Sequence, residues 1–138
     1  MRALPFNKPD GGSRVQYALF ALPIRAGQSD AARSFLQELE GPRKADYAAS
    51  EHRLGITKEV WAIQQSPMGD LFVVFFQSPD IPASVTQFVG SRDEFDLWFK
   101  RQVNDTTGVD LNTPPSGALS DILSVYEASG AALEAAKA

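Results

Sequence analysis

Cysteine is absent from the 138 residues, and histidine occurs once, as His52. Those shortages exclude disulfides, thiolate nucleophiles, Cys-ligated zinc or iron–sulfur centres, and any His-rich or mixed Cys/His metal cluster within one chain. Long apolar runs are missing too: nothing approaches the ~20 residues that a membrane-spanning helix needs. The stretch Tyr17–Ile24 is too short for a secretory core, is broken by Pro23, and reads as a strand. Positive charge is in deficit, with Lys+Arg 13 against Asp+Glu 17 and a net charge of −4. Phosphate backbones and anionic membranes require a cationic footprint, so neither nucleic acid nor membrane is an expected partner. A cytoplasmic location follows by default. No P-loop, dinucleotide-binding glycine pattern, Gly-x-Ser-x-Gly elbow or EF-hand spacing occurs, and no cofactor or metal is expected.

What is present suits one folded domain. Hydrophobic residues make up 43% and charged residues 22%, a globular balance in a chain long enough to bury a core. Met1–Ser13, with two prolines and two glycines, lacks an apolar period and reads as a flexible leader. The domain is expected over 14–127 and a flexible tail over 128–138. Strand one, Arg14–Ile24, is apolar on both parities. Ser29-Asp30 predicts a helix start, with Ser29 as N-cap and Asp30 beside the positive end of the dipole. Ala31, Phe35, Leu36 and Leu39 follow at helical spacing.

Gly41-Pro42 interrupts that helix, because proline lacks an amide hydrogen and crowds the preceding turn, so a kink or a restart is expected. The second piece, Arg43–Leu54, ends at Gly55, a left-handed C-cap. Strand two, Lys58–Gln65, places Trp61 and Ile63 on one face and Val60, Ala62 and Gln64 on the other. Ser66–Asp70 has the Pro and Gly chemistry of a hairpin loop. Strand three, Leu71–Gln77, is apolar on both parities, and Pro79–Gly90 is a short helix or a turn. Ser91-Arg92-Asp93-Glu94 fits a capping box ahead of a buried stripe of Phe95, Trp98, Phe99 and Val103, and Gly108 ends that helix. After a loop over Leu111–Ala118, Asp121–Glu127 supplies a last strand.

The order β-α-β-β-α-β is the split βαβ of ferredoxin-like α+β folds, an antiparallel sheet with helices on one face. Right-handed crossovers put strands one and three in the centre and strands two and four at the edges. The two doubly apolar strands are the first and third, yet helices cover only one face of such a sheet. The bare face holds about five or six large side chains, on the order of 10 kcal/mol at roughly 1.5–3 kcal/mol each. Part of this is offset by the freedom lost on association. A second copy meeting face to face is the expected cover, since most soluble oligomers are symmetric dimers. Because both parities are apolar, either can meet the partner.

Four segments, Arg53-Leu54-Gly55-Ile56-Thr57-Lys58-Glu59-Val60-Trp61, Ser66-Pro67-Met68-Gly69-Asp70, Phe95-Asp96-Leu97-Trp98-Phe99 and Thr107-Gly108-Val109-Asp110-Leu111, resemble an uncharacterised family of the dimeric α/β-barrel superfamily. The resemblance spans Arg14–Tyr126. It implies the fold and a face-to-face homodimer, and it carries no catalytic residues with it. The wider superfamily contains cofactor-free monooxygenases, haem-dependent enzymes and stress-induced proteins.

His52 is the one side chain whose ordinary pKa lies near neutrality. It is either a general base or axial haem ligand at a pocket mouth, or a solvated histidine favoured by the end of the helix dipole. The second reading is the stronger, since His52 has no spaced partner. Trp61 either lines a ligand cavity or serves the core or the dimer interface, the commoner fate of such a ring. Trp98 and Phe99 belong to the packing stripe. The hydroxyls of Tyr17 and Tyr126 meet backbone or partner groups, or reach a pocket. The acidic cluster Asp93, Glu94 and Asp96 is explained by capping and by an Asp96–Lys100 pair one turn apart. Asp105-Thr106-Thr107-Gly108 has one residue too many for an aspartic-protease loop. Gly69-x-x-Phe72-Val73-x-Phe75 echoes an RNA-recognition strand without its basic footprint.

Three functions compete on this reading. The first is a binding protein with an apolar cavity between sheet and helices, walled by Tyr17, Leu19, Trp61, Ile63, Phe72 and Val74, with His52 and Arg53 as polar candidates. The second is a cofactor-independent monooxygenase-like enzyme for an electron-rich aromatic substrate. Its pocket would hold the substrate anion after His52 or a tyrosine takes the proton. The third is a structural dimer with no cavity.

Overall fold

The structure, a computed structural model, describes residues 15–115 and 119–128. The expected leader, Met1–Ser13, and the tail beyond Ala128 lie outside the described residues. Strand β1 (Gln16–Pro23) leads into helices α1 (Ser29–Glu40) and α2 (Lys44–Leu54). A hairpin of β2 (Lys58–Ser66) and β3 (Gly69–Ser78) follows, then helices α3 (Ile81–Gly90) and α4 (Glu94–Thr107). The fold is α+β, with a three-stranded antiparallel sheet in the order β1-β3-β2. Of the two strands apolar on both parities, β3 is central, where both of its faces can be used. The other, β1, also expected in the centre, lies at an edge because the expected fourth strand does not form beside it among the described residues.

Register settles which parity faces the helices. Ala18 lies opposite Phe76, Leu22 opposite Phe72, and Trp61 opposite Val74. Phe72, Val74 and Phe76 are buried on that side, and Phe20, Trp61 and Ile63 pack with them. Tyr17, Leu19 and Ala21 pair instead with Gln77, Phe75 and Val73, and Val60 and Ala62 complete the opposite face. Among the described residues no helix covers that second face, and Leu19 and Val60 are 40% and 45% exposed on it.

The helices end where the backbone demands it. The Gly41-Pro42 break separates α1 from α2, and Gly55 (φ +76) and Gly108 (φ +85) terminate α2 and α4 in the left-handed region open to glycine. Two caps differ from expectation. Ser29 lies inside α1, and its hydroxyl donates to Asp70 Oδ2 at 2.7 Å. Asp93, not Ser91, caps α4, accepting from the Phe95 and Asp96 amides. Ser91 is drawn off because its hydroxyl donates to the fully buried Asp96. Pro79–Gly90 resolves as a helix, α3, capped by Asp80 with Pro82 in its first turn.

The segment Asp121–Glu127 forms no strand. Its apolar residues come in adjacent pairs, Ile122-Leu123 and Val125-Tyr126, so no pleated register buries one parity. Leu123 and Tyr126 are exposed. Beside β1, the Ser120 hydroxyl donates to the Leu19 carbonyl and the Tyr17 hydroxyl donates to Glu127.

Phe35 is the centre of the core, with edge-on contacts to Trp61, Phe72, Trp98 and Phe99 at centroid distances of 5.1–6.1 Å. Buried charge is paired in an arrangement the sequence did not suggest. Asp96 accepts from the Ser50 hydroxyl, from Ser91 at 2.6 Å and from Arg53 Nη2 at 3.1 Å. The expected Asp96–Lys100 pair gives way to this. Lys100, 2% exposed, donates instead to the carbonyls of Val89 and Ser91 and to Asn112 Oδ1, at 3.0–3.1 Å. Among the described residues, no helix is long and apolar enough to cross a membrane, and no group of three metal-ligating side chains occurs.

Candidate functional site

Helix α2 presents Tyr47, Ser50, Glu51 and Leu54 at helical spacing on one stripe. Strand β2 presents Glu59, Trp61 and Ile63 on the parity that faces the helices. The link between them is three residues, Gly55 to Thr57, turned by the left-handed Gly55. That short connection folds α2 back over β2 and brings Glu51 against Glu59, two carboxyl groups linked by a hydrogen bond.

This pair lies in the wall of a cavity of about 350 Å³. Phe20, Trp61, Val74 and Phe76 form its sheet side, and Leu54, Val85, Phe88 and Phe99 its helix side. The turn after α4 closes one end through Val109, Leu111 and Pro114, and Lys100 steadies that turn through its bond to Asn112. A shallower hollow of about 230 Å³, lined by Glu40, Lys44 and Lys58, reaches Tyr47, Glu51 and Glu59 from the other side.

Glu59 is the better-supported member of the pair. The Tyr47 hydroxyl and the Trp61 indole N–H both donate to its Oε2, at 2.9 and 2.8 Å. The residue is half-buried by area, but the carboxyl itself is enclosed, and that burial raises its pKa against the lowering effect of its donors. Glu51 has no comparable donors among the described residues. Burial, then repulsion from Glu59, pushes its pKa up to about 10. Burial and the neighbouring carboxyls also push the Tyr47 phenol strongly upward. At neutral pH the pair therefore holds a proton, with Glu51 as donor and Glu59 as acceptor.

This makes a stability prediction. The folded state keeps a proton on Glu51 that the unfolded chain releases above the ordinary carboxylate range, so stability falls as pH rises from there towards 10. Glu51→Gln supplies a permanent donor. Because Glu51 retains some exposure, a gain of about 2 kcal/mol near pH 8 is expected, with a flattened pH profile. Chemical denaturation across the pH range checks this, and an unchanged profile refutes the shared proton.

The structure distributes the sequence-predicted residues unevenly. Trp61 and Val74 line the cavity. Phe72 and Ile63 share that sheet face but belong to the packed core beside it. Tyr17 and Leu19 lie on the opposite face, away from the helices, because their parity in β1 is the other one. His52 is exposed on α2 and does not line the cavity. Arg53 also lies outside it, its guanidinium held by Asp93 and Asp96, each at 3.1 Å. Tyr47, Glu51 and Glu59 were not expected. The available signal was Glu59 itself, a carboxylate on the same strand parity as Trp61 and Ile63.

Compared with protein-family models, with curated proteins and with solved structures, the chain shows no match.

Proposed function

We propose that the protein binds a small apolar or aromatic molecule in the cavity between its sheet and helices, and that it does so as a homodimer of the dimeric α/β-barrel type. The observation that carries the binding reading is the cavity: ligand-sized, apolar on most of its surface, with the Glu51–Glu59 pair in its wall. A purely structural dimer gives no reason to keep such a space beside a tightly packed aromatic core. The monooxygenase-like alternative is less favoured. It needs a lining that stabilises a substrate anion, and the acidic lining works against that.

Calorimetric titration with naphthylmethanol tests the binding reading. One saturable site is expected, weakened about tenfold or more by Val85→Phe, which fills the space. Heat that never saturates, or a variant that binds equally well, refutes it.

The dimer reading rests on the uncovered sheet face, where Leu19, Val60, Val73 and Phe75 form an apolar patch. Sedimentation at micromolar concentration should give twice the 15.0 kDa chain mass. Phe75→Glu, in the middle of that face, should return it to one copy. A folded monomer in the unsubstituted protein would refute the dimer.

A further inference from the structure

The cavity's ionisable lining is of one sign, and this deepens the binding reading on which it rests. Glu51, Glu59 and Asp110 line it, with Tyr47, and no lysine, arginine or histidine does among the described residues. The nearby cations are committed elsewhere. Arg53 is bound to Asp93 and Asp96, Lys100 to two carbonyls and Asn112, and Lys44 and Lys58 line the outer hollow. Tyr47 and Trp61 both donate to a single oxygen of Glu59, which fixes that carboxyl's orientation and leaves the pair further acceptor capacity. The aromatic side chains of Phe20, Trp61, Phe88 and Phe99 line the same space. Buried carboxylates need a paired positive charge, and aromatic faces favour a cation beside them.

We infer that the cavity takes an aryl-alkyl ammonium compound, its aromatic body among the rings and its cationic N–H head on the Glu51–Glu59 pair. The head takes the place of the proton that the pair holds when empty. Binding therefore releases a proton, and affinity rises with pH by about tenfold per unit for each proton released. The groups that set this response are Tyr47 on α2, Trp61 on β2, Asp96 on α4, Asp110 after α4, and Glu40, Lys44 and Lys58 around the outer hollow.

The test compares three probes of one shape on the intact protein: naphthylmethylammonium, naphthylmethanol and naphthoate. Titration calorimetry in buffers of differing ionisation heat reads both affinity and proton release. The ammonium should bind about tenfold or more tighter than the alcohol, and the carboxylate weakest. Ammonium binding should strengthen from about pH 6 to about pH 8 with release of a proton, while alcohol binding stays flat. The Glu51→Gln, Glu59→Gln double variant should lose the ammonium preference and keep the alcohol. Should that variant fail to fold, the pH series on the unsubstituted protein decides alone. Equal, pH-independent affinity for ammonium and alcohol overturns this inference and leaves the apolar binding site standing. Tightest binding of the carboxylate also overturns it. If no probe binds, both readings fall.

Discussion

Asp96→Ala should cost about 3 kcal/mol, a large part of the stability of a domain this size. The carboxylate is fully buried and accepts from three side chains: Ser50 and Arg53 of α2, and Ser91 ahead of α4. Removing it leaves the buried Ser50 hydroxyl without its acceptor and takes one of the two carboxylates from Arg53. Asp96→Asn retains one oxygen acceptor and should lose about half as much. Denaturant unfolding separates the two, and a loss below about 1 kcal/mol for the alanine variant would mean the network is incidental.

A larger loss, about 3–5 kcal/mol, is expected for Phe35→Ala. Phe35 is buried, and its ring is in contact with Trp61, Phe72, Trp98 and Phe99. Each contact is edge-on, a geometry that adds to simple burial. The substitution opens a void directly behind Trp61, so the cavity wall should loosen along with the fold. Calorimetric melting measures the first effect, and Trp61 fluorescence the second. Phe35→Leu, which keeps most of the volume, should cost far less. Equal losses for alanine and leucine would show that packing volume is not what Phe35 contributes.

Much of the architecture was legible because single residues force it. The helix break at Gly41-Pro42, the stops at Gly55 and Gly108, and the hairpin after Ser66 each follow from a local backbone constraint. The centrality of β3 agrees with its two apolar parities, although β1, apolar on both parities as well, lies at an edge of the sheet. The parity facing the helices was not legible, because Leu71, Val73 and Phe75 are as apolar as Phe72, Val74 and Phe76. Only pairing to β2, where Glu59, Trp61 and Ile63 share a side, resolves it. The last strand was over-read from apolar content alone, although Ile122-Leu123 and Val125-Tyr126 lack alternation.

The site was obscured for a different reason. His52 drew attention by its ordinary pKa, whereas the two residues beside the cavity have ordinary chemistry in an extraordinary place. Glu51 reads as one more charge on a polar helix, and Glu59 as a residue at the start of a strand. Their meeting depends on how α2 folds back over β2, which lies beyond the reach of periodicity. The capping region shows the same competition. Ser91 and Glu94 satisfy a capping pattern, but the buried Asp96 takes the serine hydroxyl, and Asp93 becomes the cap.

Location of a heavy-atom aromatic tests the binding cavity most directly. Crystals soaked in bromonaphthalene should give an anomalous bromine peak between Trp61, Phe88 and Phe99, inside the sheet–helix space. Bromine found only against Leu19, Val60 and Phe75 on the outer sheet face, or nowhere ordered, would contradict a ligand site between sheet and helices.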